Sequence, residues 1–380
     1  MKTKWVIFTV LAAFFVLVAH SGSQAANTRD IDIVRNKPVL ESTDLPIIND
    51  FVDEAVRELV NTRDFSYIAQ LRNTILARRT SRKSSAQTQY TEQFSQSAHK
   101  YISEGFKEAE LLKPKNRSFM ATLNLLILID GLEDLRLAEP AIRFLKDENT
   151  VIRYWAVHSL TSPGFTKQLD PAKAANLQLA RRIVEQLKTL VGTPGGQGHE
   201  ILALVAEFAA EVGVPQGEVL LGQIADLRIK KYADWTVDYE FLDGTVLKLL
   251  YKKISTGAVN KAAVSRRFGQ LYSYVIQRYV KGRFFLNPTQ KHQLASVLVE
   301  IEKSCISRLL AKPQTVIKRS IERVDYTRLL LEHSSLLGDQ ATPGRLPEKL
   351  NFNYGTNPNG STRTAPLTLP DPPLKPSTEE

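Results

Sequence analysis

Residues 142–160 read IRFLKDENTVIRYWAVHSL, two apolar-periodic segments on either side of the polar turn KDENT. Leu135, Ala138, Ala141, Ile142 and Leu145 fall at helical spacing on one stripe, and Ile152, Trp155, Ala156, Ser159 and Leu160 fall on the next. Asn149 stands where a side-chain oxygen accepts a free N–H of the second helix. Two antiparallel helices that are each apolar along one stripe cannot bury both stripes by themselves, so a neighbouring pair has to cover them. The stretch thus predicts one member of a row of helical hairpins.

Outward from it, helical periodicity runs across 44–336. Val52, Ala55, Val56 and Leu59 recur at helical spacing, and Tyr90, Phe94, Tyr101 and Ile102 mark a more polar helix. Beyond the breaker GTPGGQG, from Gly192, EILALVAEFAAEVG ends in a glycine, as a helix terminus should. EVLLGQIADLRIKKYA, VSRRFGQLYSYVIQRYV and QLASVLVEIEKSCISRLL continue the pattern, and no segment alternates like a strand between hairpin dipeptides. The expected fold class is all-α, as irregular stacked helical hairpins forming an α-solenoid, with a closed multi-helix bundle as the alternative.

Around residues 134–160 the chain resembles a HEAT repeat. Pro140, Asp147, Ile152, Arg153, Ala156 and Leu160 fall where that family has its first-helix proline, turn aspartate and second-helix opening. The resemblance implies that Asp147 and Arg153 tie successive units together. The flanking helical pairs, 94–130 and 172–212, lack the motif.

The two ends read differently. MKTK, an apolar run from Trp5 to Ala19, and Ser23 and Ala25 as small residues before a cut describe a secretory leader over 1–25. The apolar run falls short of the roughly 20 residues that a spanning helix needs. Residues 26–43 lack periodicity and are expected to lie extended along the surface. Over 337–380 the chain carries eight prolines after residue 340 among Gly, Asn, Ser and Thr, which predicts a disordered tail. The mature protein is therefore expected in the periplasm or outside the cell. With Cys305 as its only cysteine it holds no internal disulfide, and Cys305 itself reads as a small buried apolar residue.

Recognisable chemistry is sparse. His99, His158, His199, His292 and His333 show no metal-ligand spacing, and HExxH is absent. GTPGGQG lacks the GK[ST] of a phosphate loop and reads as a mobile hairpin loop; GxSxG is also absent. No catalytic residue, cofactor or metal is assigned.

Charge is the informative feature. The formal net charge is +10, and +8 without Lys2 and Lys4. From Glu200 to Asp243 nine acids face three bases; from Gly244 to Val299 ten bases occur with no acid. On the helix around 264–281, Val264, Phe268, Leu271, Val275 and Tyr279 form a core stripe. Arg267, Gln270, Tyr274, Arg278 and Lys281 step along another. Two readings are open. Arg267, Tyr274, Arg278 and Lys281 form an outward anion-binding face, or the acidic and basic segments neutralise each other between stacked units. The Arg78, Arg79, Arg82 and Lys83 cluster reads as solvated surface.

The functional expectation is an exported, non-catalytic helical-repeat scaffold that offers a surface to a protein, a membrane surface or an anionic envelope polymer, with nucleic acid a minor candidate. The competing expectation is an envelope enzyme of a helical class, its cleft assembled from residues distant in sequence.

Overall fold

The computed structural model describes residues 28–83 and 86–373. The leader expected over 1–25 and the end of the tail, 374–380, lie outside the described residues. Among the described residues the protein is all-α, with extended pairing confined to two isolated bridges, Gly338 with Pro343 and Thr356 with Thr362. No described helix is long and apolar enough to cross a membrane. The chain divides between Phe144 and Leu145 into two compact units, where the sequence suggested one domain over 44–336.

The first unit holds α1 (Thr28–Val34), α2 (Asp44–Asn61), α3 (Phe65–Ala77), α4 (Gln87–Leu111), α5 (Lys115–Leu132) and α6 (Ala138–Arg143). Helix α2 buries Ile48, Phe51, Val52, Ala55, Val56 and Leu59 and touches α1, α3, α4 and α5, so this unit is a cluster around one helix rather than a row. Part of the segment expected to be extended over 26–43 is helical: α1 buries Ile31 and Val34. The basic cluster is only partly solvated. Arg78 pairs with Asp32 at 2.8 Å and Arg79 donates to the carbonyl of Gly131 near the end of α5, while Arg82 and Lys83 are exposed.

The second unit holds α7 (Thr150–Thr161), α8 (Pro163–Gln168), α9 (Ala174–Val191), α10 (His199–Glu211), α11 (Pro215–Ala233), α12 (Phe241–Thr256) and α13 (Lys261–Lys281). They are followed by α14 (Pro288–Ile301), which runs on through a π-turn at Glu302–Ile306, then α15 (Val316–Glu322), α16 (Tyr326–Leu337) and α17 (Arg345–Leu350). Asn149 caps α7 as expected, accepting from the Val151 and Ile152 N–H groups at 2.9 and 3.4 Å. Asn260 and Asn287 cap α13 and α14 by the same chemistry.

Stacking here follows chain order. Helix α10 packs on α11 and α12 on α13, while α9 meets α11, α10 meets α12, α11 meets α13 and α12 meets α14. Two layers result, α7, α10, α12 and α14 in one and α9, α11 and α13 in the other. Successive equivalents begin at Ala174 and Pro215, 41 residues apart, and at His199 and Phe241, 42 apart. The next begin at Pro215 and Lys261, 46 apart, and at Phe241 and Phe241's successor Pro288, 47 apart. The stretch that suggested this pattern straddles the division: Ile142–Phe144 belong to the first unit and the rest to the second.

Helix α13 is the axis of the second unit's far end, contacting α11, α12, α14, α16 and α17. From Val264 to Arg278 nearly every residue is buried. The expected disordered tail is corrected over its described part. Leu346, Phe352, Tyr354, Pro366 and Leu369 are buried, and the extended run 364–371 lies on α13. Proline-rich composition signals too little apolar surface to form a core alone. It does not register that polar side chains elsewhere in the chain satisfy the backbone of such a run.

Candidate functional site

The four residues expected to form a cationic face are on α13, and none is an open cation. Arg267 meets Asp226 of α11 as a fork, Nε to Oδ1 and Nη2 to Oδ2, both at 2.9 Å. It crosses Gly222 to do so; a Cβ there would stand 3.1 Å from the guanidinium carbon. Tyr274 is 3% exposed. Arg278 is 1% exposed and pairs with the Glu240 carboxylate at 3.3 Å. Lys281 donates to the carbonyl of Leu369 at 2.6 Å and to Asp371 at 2.8 Å.

Ion pairs join the acid-rich and acid-free segments at three points. Lys252 pairs with Glu211, Arg267 with Asp226 and Arg278 with Glu240, at sequence separations of 41, 41 and 38. The Glu218 carboxylate accepts from the Val259 and Asn260 N–H groups at 2.8 and 2.9 Å, in the same register. The outward anion-binding face is thereby corrected. A 3.6-residue period separates two stripes of a helix, but it does not say whether the second stripe meets water or another part of the chain.

Behind α13 lies an ion network that the sequence did not flag. Arg228, in the middle of α11 and wholly buried, grips Asp243 with Nε to Oδ1 at 2.7 Å and Nη2 to Oδ2 at 2.9 Å. It also donates to the carbonyl of Tyr239 at 2.9 Å and reaches Asp238 at 3.3 Å. The Tyr232 hydroxyl donates to Asp243 at 2.6 Å. Burial works against the Arg228 charge, yet the Asp243 carboxylate holds its pKa above the usual arginine value. Burial, and then that carboxylate, push the Tyr232 phenol far up. Glu240, buried opposite Arg278, is raised by burial despite its partner. Two buried arginines thus fix the 234–240 loop between α11 and α12. Asp238 and Glu240, an ordinary acidic loop in the sequence, are part of that clamp.

Beside this clamp the chain's own C-terminal run is seated on α13. The Gln270 amide donates to the carbonyl of Leu367 at 3.3 Å and accepts the Leu367 N–H at 2.7 Å. Gln277 donates to the same carbonyl at 3.1 Å and accepts the Leu369 N–H at 2.7 Å. The Trp235 indole donates to the carbonyl of Pro370 at 3.1 Å, and Arg266 to that of Asn353 at 2.7 Å. Helix α13 has a glycine, Gly269, where Phe352 and Tyr354 come closest; a Cβ there would stand 2.9 Å from the Tyr354 hydroxyl.

Ser273 sits between the two glutamines. Its Oγ is 2.8 Å from His333 Nε2 and also accepts from Gln277 Nε2 at 2.8 Å. Burial holds the His333 imidazole down to about 4, so near neutral pH it is uncharged, and its tautomer sets which of the two groups donates. The spacing is that of a nucleophile and base, but Ser273 has no exposed surface. In place the pair orients Gln277 toward the C-terminal run.

The remaining sequence candidates are structural in their described contacts. Arg153 does not meet the Asp147 carboxylate; it donates to the carbonyls of Asp147 and Glu148, at 2.6 and 3.1 Å, while that carboxylate accepts the Asn149 N–H at 2.8 Å. The pair thus closes its own turn, and Gly195 of the next hairpin's loop lies against the guanidinium. That contact and buried Gly196 place the GTPGGQG loop against its surroundings instead of leaving it loose. His158 is half-buried beside Tyr154 and Trp155, and His199 stacks on Tyr239 at 4.4 Å. Cys305 is buried, as expected. Among the described residues no group of three His, Cys, Asp or Glu is placed to hold a metal.

Set against protein-family models, curated proteins and solved structures, the chain matches none.

Proposed function

We propose that the chain is an exported, non-catalytic helical-repeat protein, HEAT-like in its second unit, that binds another polypeptide. One observation carries the reading: side chains of α13 bond the main chain of an extended segment at both its N–H and its carbonyl groups. Supporting it, equivalent helices recur at the 40–47 residue spacing of two-helix repeats, and stacked hairpins offer long faces of this kind. The leader-like pattern of residues 1–25, a basic start, an apolar run and small residues, supports export. An anionic polymer is the weaker partner class, because Arg267, Arg278 and Lys281 are already paired.

Proximity crosslinking in intact cells, run beside retention of the purified chain on anionic vesicles at low salt, separates these classes. A reproducible protein partner with near-background retention supports the proposal. Salt-sensitive retention with no protein partner overturns it. The one observation on the enzyme side is the Ser273–His333 contact. Covalent capture of Ser273 by a fluorophosphonate on the folded protein would restore that reading.

A further inference from the structure

The run Thr364–Asp371 is held on α13 main chain first and side chains second. Gln270 and Gln277 share the carbonyl of Leu367, and each also takes an N–H, of Leu367 and Leu369 respectively. Lys281 and Trp235 take the carbonyls of Leu369 and Pro370. Side-chain amides that bond donor and acceptor of one extended chain substitute for an adjoining strand, the chemistry of peptide recognition. Within the run only Pro366 and Leu369 are buried, Leu367 and Thr368 are exposed, and the Asp371 carboxylate meets Lys281. The groove therefore specifies an extended backbone, a proline and a leucine three positions apart, and an acid two positions further on.

A segment serving only to close a core would meet apolar side chains. Here the helix presents buried amides, Gln270 and Gln277 each 6% exposed, and each bonds the run's main chain at both a carbonyl and an N–H. A main chain supplied by another molecule fits the same amides.

We infer that this face of α13 is a receptor groove for an extended, proline-flanked, acid-ending segment of another polypeptide, and that residues 364–371 are its resident occupant, displaced when the partner binds. The inference rests on the proposed function and names the partner's chemistry. An occupant tethered in cis has an effective concentration on the order of millimolar, so a free segment competes poorly until the resident one is weakened.

The test uses the full chain and the labelled peptide TAPLTLPDPP, residues 364–373. Leu369→Asp, which unseats the resident run, is expected to bind the peptide at least ~10-fold more tightly than wild type. Adding Gln270→Ala and Gln277→Ala is expected to abolish that binding. Circular dichroism melting checks that each variant folds. Should Leu369→Asp fail to fold, a protease site in the exposed Pro358–Gly360 turn, cut after folding, lets the peptide exchange with the released C-terminal fragment. Equal weak binding by wild type and Leu369→Asp, or a cut fragment that the peptide never replaces, overturns the inference. A partner crosslinked in cells equally well by the glutamine variant and by wild type removes this groove while leaving the proposed function standing.

Discussion

Arg267 and Arg278 ride on one helix and meet one carboxylate each, but in different surroundings. The Arg267–Asp226 fork is open to water, so Arg267→Ala should cost about 0–1 kcal/mol. Arg278 and Glu240 are both enclosed. Arg278→Ala leaves a buried carboxylate without its partner, and urea unfolding should show a loss of about 3–5 kcal/mol. Equal losses from the two would mean that burial does not set the difference. His333 gives a pH signature. Its folded value lies near 4 against an ordinary 6.5, so between those values the unfolded chain holds more protons. The contribution is complete above pH 6.5 and is lost as pH falls toward 4. Urea midpoints measured across that window should decline more steeply for wild type than for His333→Leu. The residues left pairing of the acidic and basic segments open as one reading, but not which groups meet: α13 looked amphipathic because its polar stripe is polar, and only packing reveals that Gln270, Ser273, Gln277 and Arg278 face other parts of the chain.

Among elements, the local signals read well. Asn149 was recognisable as a cap because its chemistry depends only on neighbours in sequence. Asn287 is a fuller case, with the Gln290 side chain returning the bond to its N–H. Asn287→Ala should cost about 1 kcal/mol in urea unfolding. Signals that depend on distant partners were silent. The 352–371 segment reads as a spacer because its ordering relies on α13, far earlier in the chain. Gly269 is the hinge of that dependence. Gly269→Val places branched methyls where the Phe352 and Tyr354 rings end, and overpacking of this kind costs about 1–3 kcal/mol. The expected outcome is faster hydrogen exchange and easier proteolysis across 352–371, with α9–α12 unchanged.

At the scale of the whole molecule, net charge is a poor guide to what the surface offers. A formal +10 suggests a cationic protein, yet in the second unit Lys252, Arg267 and Arg278 are each paired with an acid some 40 residues earlier in the chain. Reversing Arg267, Arg278 and Lys281 together to Glu should lower the melting temperature sharply while leaving vesicle retention near the wild-type level. A stable variant with lost retention would contradict the pairing. Helical class and the serial stacking of the second unit were legible, because periodicity and caps are written locally. The first unit's cluster around α2 was not, since the same helical pattern serves a row or a cluster.

The π-turn at the end of α14 encloses Cys305, the chain's only thiol, and burial pushes its pKa up. A sulfhydryl reagent added to native protein therefore has one target, and that target is shut. The pace of its modification counts how often this end of the molecule breathes, a built-in clock that needs no engineered label.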